Sequence, residues 1–183
     1  MTSGCKNAPY MIIDDGWQKH RIPGAGNYIG GEWEANDKFG DMRKTADAIH
    51  AKGAKAGIWF RPLLTRGDVP QEAILCEECG GTVLDPSHPF TLEKAYNDAK
   101  KLSDWGFDLI KHDFTTGDAV TGQKTLTSER HDYTLAGENR KYYDKKKTTA
   151  VVLKDLYKAI QRGAGGSEVI ACNAVGHLSA GIH

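Results

Sequence analysis

The sequence predicts an α/β protein in which helices cover a parallel sheet, and two observations carry this prediction. Short apolar runs alternate with amphipathic segments along the chain, a pattern typical of strand–helix repeats. The apolar runs lack inside–outside alternation, which fits buried parallel strands better than half-exposed antiparallel ones. The 183 residues are enough for one domain with a core, so we treat residues 1–183 as one folding unit.

The apolar runs predict four strands, and the amphipathic segments predict three helices between them. The strands are expected at residues 10–13, 54–60, 107–110 and 169–172. The helices are expected at residues 41–52, 89–105 and 148–162. Asp41 is a favourable N-cap for the first helix, and the third is predicted to end before Gly163.

The connections between these elements are unequal in length. Those from strand to helix are long, at residues 14–40, 61–88 and 111–147, whereas those from helix to strand are short. In a (β/α) barrel the chemistry lies on the loops that leave the carboxyl ends of the strands. We therefore expect the working face at that end. Four strands do not close a barrel, so the sequence predicts either a small open sheet or part of something larger.

Charge and composition narrow the classes of partner. The 24 basic and 24 acidic residues leave no basic field for nucleic acid or an anionic membrane. No apolar run approaches the roughly 20 residues that span a bilayer, and the first ten residues lack the regions of a signal peptide. The four cysteines are too few for a disulfide scaffold and leave the compartment unknown. The expected partner is a small neutral molecule.

Metal binding has little support in the sequence. The segment Cys76-Glu-Glu-Cys79 has the spacing of half a zinc site, but no second Cys-x-x-Cys or His pair accompanies it. A metal-dependent barrel hydrolase would place a His-x-His at a strand end, which this sequence lacks. We predict no metal and no other cofactor.

The segment "IDDGWQ" places Asp14, Asp15 and Trp17 directly after the first strand. Two adjacent carboxylates at a strand end can hold neighbouring hydroxyls of a sugar, while the indole offers a flat apolar wall. Because successive strand residues point to opposite faces, the two carboxylates are expected to diverge. Asp-Asp-Gly is also ordinary turn chemistry, so both interpretations stay open.

The segment "DLIKHDF" carries Lys111 and Asp113 at the end of the third strand. Their shared parity places them on the same side, with His112 on the other. A lysine beside an aspartate keeps the carboxylate ionised, as a nucleophile must be. The alternative is an ion pair within the sheet.

Two further strand ends carry polar groups. The second strand ends on Trp59 and Arg61, whose guanidinium could donate to a sugar oxygen at the rim, orient a carboxylate or form a surface salt bridge. The fourth strand ends on Cys172 and Asn173, and the small residues that follow would let a ligand approach the backbone closely. A buried structural cysteine is the alternative for Cys172.

Taken together, "IDDGWQ", "IHAKGAKAGIWFRP", "LDPSHP", "WGFDLIKHDF" and "ACNAVGHLSAGIH" resemble the catalytic barrel of the α-galactosidase clan of glycoside hydrolases. That clan includes α-galactosidases, α-N-acetylgalactosaminidases and the raffinose-synthase type. The resemblance implies an incomplete (β/α)8 TIM barrel whose parallel strands resemble the second to fifth barrel strands. Residues 1–183 would then be a partial TIM-barrel catalytic domain.

The resemblance also implies roles for individual residues. Asp113 falls on the nucleophile of the clan, and Lys111 falls on the lysine that hydrogen-bonds the sugar. Asp14 and Asp15 fall on the paired carboxylates that hold the galactose hydroxyls, and Cys172 falls on a cysteine at the sugar pocket in part of the clan. The general acid/base of the clan, an Asp beyond its sixth strand, has no counterpart in these residues.

The expected function is therefore part of a retaining glycoside hydrolase that acts on terminal α-galactosides, with an isolated chain that is nearly inactive. Asp15 and Asp113 should begin ~9 to 10 Å apart, two strand steps at ~4.8 Å, whereas retaining catalysis needs carboxyls ~5 to 5.5 Å apart. The paired aspartates are thus expected to bind the sugar. The expected partners are an α-galactoside or related oligosaccharide, and further copies of the chain through exposed sheet edges. The alternatives are a non-catalytic sugar-binding or structural remnant, and an α-galactosyl transglycosylase of the raffinose-synthase type.

Overall fold

The computed structural model has an α/β fold and describes residues 8–19, 33–78, 81–121 and 142–182. Its elements in chain order are β1 (Tyr10–Ile13), α1 (Met42–His50), β2 (Lys55–Phe60), β3 (Leu64–Thr65), a 3₁₀ turn (Gln71–Ala73), β4 (Ile74–Glu78), β5 (Gly81–Leu84), α2 (Pro89–Asp104), β6 (Leu109–His112), α3 (Thr115–Thr121), α4 (Thr149–Ala164), β7 (Glu168–Ala171) and α5 (Gly176–Ser179). Within these ranges, no helix combines the length and apolar character needed to cross a membrane.

The main sheet is parallel and has the strand order β1-β2-β6-β7. These are the four predicted strands, so the predicted parallel α/β arrangement is confirmed. The third strand runs from Leu109 to His112, two residues later than the predicted 107–110. The reason is that its ladder with β2 begins at the pair Gly57–Leu109, while Phe107 is 1% exposed and packs in the core.

The main helices α1, α2 and α4 lie where the apolar spacing predicts them. Asp41 caps α1 as expected, because its Oδ1 accepts hydrogen bonds from the backbone N–H groups of Arg43 and Lys44 at 3.0 and 3.3 Å. These helices cover one face of the main sheet. On that face His112 packs against Tyr157 of α4, with ring centroids 5.7 Å apart.

The predicted end of the third helix before Gly163 is wrong. Helix α4 continues through Gly163 to Ala164, and the chain turns at Gly165 with φ 60°. A Cβ at position 163 would lie 2.1 Å from the carbonyl oxygen of Tyr96 in α2. Glycine therefore serves here as a contact between two helices rather than as a helix end.

A second sheet lies inside the predicted connection 61–88. It is antiparallel, with the order β3-β5-β4. Its strands are two to five residues long and present no extended apolar run, which explains why the sequence pattern missed them. Helix α3 lies within the predicted connection 111–147. The sequence pattern missed it because it spans only seven residues.

A network of hydrogen bonds, here called the Asp85 latch, joins the segment after β5 to the segment before α4. The Asp85 carboxylate, 2% exposed, accepts from the backbone N–H groups of Ser87 at 2.7 Å and Tyr143 at 2.5 Å. The backbone N–H of Asp144 donates to Ser87 Oγ at 3.0 Å, and the rings of His88 and Tyr143 lie 4.3 Å apart. The latch therefore fixes the position at which the chain enters α4.

The face of the main sheet opposite the helices, here called the open face, carries Ile12, Gly57, Leu109, Lys111 and Ile170. Strand pairing sets Ile12 beside Gly57 and Gly57 beside Leu109, while Lys111 pairs with Ile170. A Cβ on Gly57 would lie 2.8 Å from Cγ1 of Ile12, so the side chain of Ile12 folds over this glycine. Ile12 and Ile170 remain 38% and 41% exposed, which leaves apolar surface on this face.

The helix contact at Gly163 generates a stability prediction. We expect Gly163→Ala to lower the free energy of unfolding by about 2 kcal/mol, because the clash with backbone outweighs a gain in helix propensity of about 1 kcal/mol. Gly166→Ala is the matched control, since a Cβ there meets nothing within 4 Å. Urea denaturation of both variants measures the difference, and an unchanged midpoint for Gly163→Ala would contradict the packing described.

Candidate active site

The Asp113 carboxylate follows β6 directly and accepts hydrogen bonds from N–H groups on three sides. The indole Nε1 of Trp59 donates to Oδ2 at 3.2 Å. The amide Nδ2 of Asn173 and the backbone N–H of Phe114 donate to Oδ1 at 2.9 and 2.7 Å. The residue is 6% exposed. The contacts come from the ends of β2, β6 and β7, so three neighbouring strands fix the orientation of one carboxylate.

Lys111 lies on the open face and bonds Asp14 across the strand between them. Its Nζ lies 2.8 Å from Asp14 Oδ2, and the two side chains are 20% and 60% exposed. Burial favours a lower pKa for Lys111, but the hydrogen bond and charge of Asp14, together with the charge of Asp113, raise the pKa above its ordinary value. Lys111 is therefore a charged ammonium whose direct partner is Asp14, with Asp113 as a second nearby anion.

Cys172 completes this group of side chains after β7. Its thiol is free of any disulfide and half-buried. Burial raises the pKa of the Cys172 thiol, and the charge of Asp113 and a hydrogen bond to it raise that pKa further, against the opposing effect of Lys111. The raised pKa favours the protonated thiol at neutral pH.

Asp15 is turned away from the group formed by Asp14, Lys111 and Asp113. The two adjacent carboxylates diverge as the strand alternation predicts. Asp14 meets Lys111, whereas Asp15 Oδ1 accepts from Gln18 Nε2 at 2.6 Å. Asp15 thus supports the turn after β1, which is the turn alternative that the sequence left open.

The expectation that Trp17 offers an open wall to a sugar is wrong, because its side chain is 0% exposed. Its ring lies 5.9 Å from those of both Trp33 and Trp105, and its Nε1 donates to the carbonyl oxygen of Trp59 at 2.8 Å. The side chain of Trp59 is also 0% exposed. Both tryptophans therefore support the strand ends from within the core, and Trp59 reaches the site only through its N–H.

The expectation that Arg61 lies at an accessible rim is also wrong. Arg61 is 1% exposed and Asp118 of α3 is 0% exposed, and the two form a buried ion pair. Arg61 Nε donates to Asp118 Oδ2 at 2.7 Å, and Nη2 donates to Oδ1. The guanidinium also lies 4.5 Å from the ring centroid of Phe114. Asp118 supplies the opposite charge that a buried guanidinium requires, so Arg61 points into the protein rather than to the rim.

Sequence reasoning missed Asp118 and Phe114. Asp118 lies in a stretch predicted as a loop, where a single aspartate gives no sign of burial. The available signal was Arg61 itself, because a charged residue that directly follows a buried strand needs a partner nearby.

In the described residues no group of three or more His, Cys, Asp or Glu is placed to hold a metal ion. The zinc alternative includes residue 79, which lies outside them.

The solved structures that are similar to this parallel α/β arrangement are those of TIM-barrel glycosidases. An α-galactosidase from Thermus thermophilus, solved in complex with p-nitrophenyl α-D-galactopyranoside, matches with a TM-score of 0.63 and 22% identity over 93% of this chain and 33% of that chain. A GH31 α-xylosidase from a soil metagenome matches with a TM-score of 0.59 and 15% identity over 95% of this chain and 26% of that chain. At these identities the likeness establishes the fold alone.

Sequence comparison narrows the similarity to α-galactosidases. α-Galactosidase A of Cellvibrio japonicus is 27% identical over 141 residues, which are 75% of this chain and 29% of that protein. An α-galactosidase of Oryza sativa subsp. japonica is 25% identical over 104 residues, which are 57% of this chain and 20% of that protein. No family model matches the chain. The predicted resemblance to α-galactosidases is confirmed, and the chain spans less than a third of either relative.

The pair Lys111–Asp14 generates a prediction about pH. A raised pKa in the folded state means that the pair stabilises the fold below the unfolded pKa of Lys, about 10.4, and that this stabilisation is lost as pH rises through the folded pKa. We expect Asp14→Asn to lower the pKa of Lys111 in an NMR titration of its side chain. Asp15→Asn is the matched control and should leave that pKa nearly unchanged. Equal effects of the two substitutions would contradict the pairing.

Proposed function

We propose that this chain is part of a retaining glycoside hydrolase that acts on terminal α-galactosides, with Asp113 as the nucleophile. The observation that carries the proposal is the Asp113 carboxylate, held by three N–H donors at the carboxyl ends of parallel strands beside a charged lysine. The similarity to α-galactosidases supports the choice of substrate class. We further propose that the main sheet corresponds to the second to fifth strands of a (β/α)8 barrel.

In this proposal the chemistry begins when Asp113 attacks the anomeric carbon of the galactoside. A bond forms between a carboxylate oxygen and that carbon, while the glycosidic bond breaks and its oxygen takes a proton from a general acid. Water then attacks the anomeric carbon and gives its proton to the same acid/base group, which is now deprotonated, while the ester bond to Asp113 breaks and the original anomeric configuration is restored. Oδ2 is the better placed atom for attack, because it accepts one long hydrogen bond from Trp59 while Oδ1 accepts two shorter ones.

The acid/base role belongs to a carboxyl from elsewhere in the complete protein. Asp14 lies two strand steps from Asp113 in the order β1-β2-β6, which is ~9 to 10 Å at the backbone. Retaining catalysis needs carboxyls ~5 to 5.5 Å apart. Asp14 is also bonded to Lys111. The wider spacing instead suits carboxylates that contact opposite edges of one sugar ring.

The exposed members of the group are the proposed sugar contacts. Lys111 and Asp14 retain solvent-exposed surface and can exchange their mutual bond for hydroxyl groups of a ligand. Asn173 donates to Asp113, and Cys172 lies within its electrostatic influence, so both are proposed to contact the same sugar. Trp17, Trp59 and Arg61 act from beneath, through contacts with the strand ends, and Asp15 acts through the turn that it stabilises.

The role of Asp113 is tested by Asp113→Asn in the complete protein. We expect turnover of an aryl α-galactoside to fall by at least about 10⁴-fold, because the nucleophile is lost. Asp104→Asn is the matched control, since this carboxylate forms an exposed pair with Lys100 on α2. Wild-type turnover by Asp113→Asn would refute the assignment.

The isolated 183-residue chain should be nearly inactive, because it lacks the proposed general acid, which contributes about 10² to 10⁴ in rate. Turnover of raffinose or melibiose by this chain that Asp113→Ala abolishes would contradict this prediction.

The edges of the main sheet generate a prediction about association. Within the described residues β1 and β7 each pair with a strand on one side only, and exposed apolar side chains accompany them, including Met11 at 58% exposure. Unpaired strand edges with apolar side chains favour pairing with another chain. We expect the isolated chain to self-associate in light scattering, and Met11→Lys to weaken that association. A strictly monomeric, well-folded species would contradict it.

A further inference from the structure

The residue after Asp113 has an unusual backbone conformation that bears directly on the carboxylate. Phe114 has φ 58°, in the left-handed region that side chains other than glycine rarely adopt. The backbone N–H of the same residue donates to Asp113 Oδ1 at 2.7 Å, so the strained residue is bonded directly to the carboxylate. A residue in such a conformation persists only when its surroundings fix it. The question is which groups do so.

The two residues of the buried ion pair both contact Phe114, one at its ring and the other at its backbone. Its ring lies under the guanidinium of Arg61, 4.5 Å from ring centroid to Cζ. Its carbonyl oxygen accepts from the backbone N–H of Asp118 at 2.8 Å. Arg61 and Asp118 then bond each other through two N–H groups. The three residues form a closed ring of contacts around the backbone of Phe114.

Arg61 is well placed for this role because it continues β2. The preceding residue, Phe60, accepts a hydrogen bond from the backbone N–H of Asp113 at 3.1 Å, and Trp59 donates to Oδ2. The end of β2 therefore reaches Asp113 in three ways. Phe60 accepts from its backbone N–H, and Trp59 donates to its Oδ2. Arg61 acts on its Oδ1 through Phe114. A lysine at position 61 could supply the charge but not the planar fork that bonds a carboxylate and covers a ring at once.

We propose that Arg61 is a positioning residue, which acts through Asp118 and Phe114 to aim the Phe114 N–H at Asp113 Oδ1 and so to orient the carboxylate for attack. This inference rests on the proposed role of Asp113 as nucleophile. Its geometric part, the hydrogen bond at Oδ1, is independent of that role. Two experiments therefore separate the geometry from the chemistry.

The first experiment measures the hydrogen bond in the 183-residue chain by NMR. We expect Asp113→Ala to shift the Phe114 amide resonance, because the substitution removes the oxygen that accepts this N–H. In Arg61→Lys the protection of this amide from hydrogen exchange should fall about tenfold. Lys94→Met is the matched control, because it breaks the partly buried pair Lys94–Asp98 on α2. Unchanged protection in Arg61→Lys, or an equal loss in Lys94→Met, would overturn the proposal.

The second experiment measures covalent labelling of Asp113 in the complete protein by 5-fluoro-α-D-galactopyranosyl fluoride. A carboxylate oxygen bonds to the anomeric carbon while fluoride leaves with the electron pair of the C–F bond, so no general acid is needed. We expect Asp113 of the Arg61→Lys variant to be labelled about 10²-fold more slowly than in the wild-type protein at saturating probe. The probe concentration that gives half the maximal rate should change little. Phe114→Gly, which tolerates positive φ, should label faster than Phe114→Ala.

The outcomes distinguish the two proposals. If the wild-type protein is not labelled at Asp113, the proposed function fails. If it is labelled, but Arg61→Lys reacts at the wild-type rate or Phe114→Ala matches Phe114→Gly, the positioning role fails while the function stands. The two Phe114 variants keep the test decisive even where Arg61→Lys does not fold.

Discussion

The parallel ladder between β2 and β6 pairs Lys111 with Trp59 and His112 with Phe60, with the two members of each pair on the same face of the sheet. Its last bond, from the backbone N–H of Asp113 to Phe60, extends the register one residue beyond β6. Side chains alternate with a period of two, so a slip of one residue would send Asp113 to the helix-covered face and bring His112 to the open face. This one register determines three features of the site. They are the set of donors around Asp113, the position of Lys111 on the open face, and the contact of Arg61 with α3.

The same register explains what the sequence could predict. Apolar runs located the four main strands, and parity at their ends put Lys111 and Asp113 on one face and made Asp14 and Asp15 diverge, because alternation is a local property. Burial of polar side chains is not local. Arg61 finds Asp118 at a separation of 57 residues, and Trp17 finds Trp59 at a separation of 42. The charge of Arg61 directly after a buried strand signals that a partner is needed but not which residue supplies it, and nothing around Trp17 reveals a partner, so both were expected at the surface.

Charged groups near the site perform two different tasks, and burial separates them. Lys111 and Asp14 remain within reach of solvent, so they can exchange partners when a ligand enters. Arg61 and Asp118 are sealed from water, where removal of one partner would leave an uncompensated charge that costs about 3 to 5 kcal/mol. The first pair suits recognition, and the second suits rigidity. The Asp113 carboxylate lies between these two kinds of neighbour.

The Asp85 latch has a consequence for how such a scaffold can change over time. The chain leaves β6 through α3 and is fixed again at Tyr143, where the latch receives it. Twenty residues, 122–141, separate α3 from Tyr142. Doubling the length of a connection whose ends are fixed costs only about 0.6 kcal/mol in closure entropy. A change in chain length between these two fixed ends would therefore cost little and leave the hydrogen bonds of Asp85 and Asp113 intact, so related sequences could differ in length here while they keep the same scaffold.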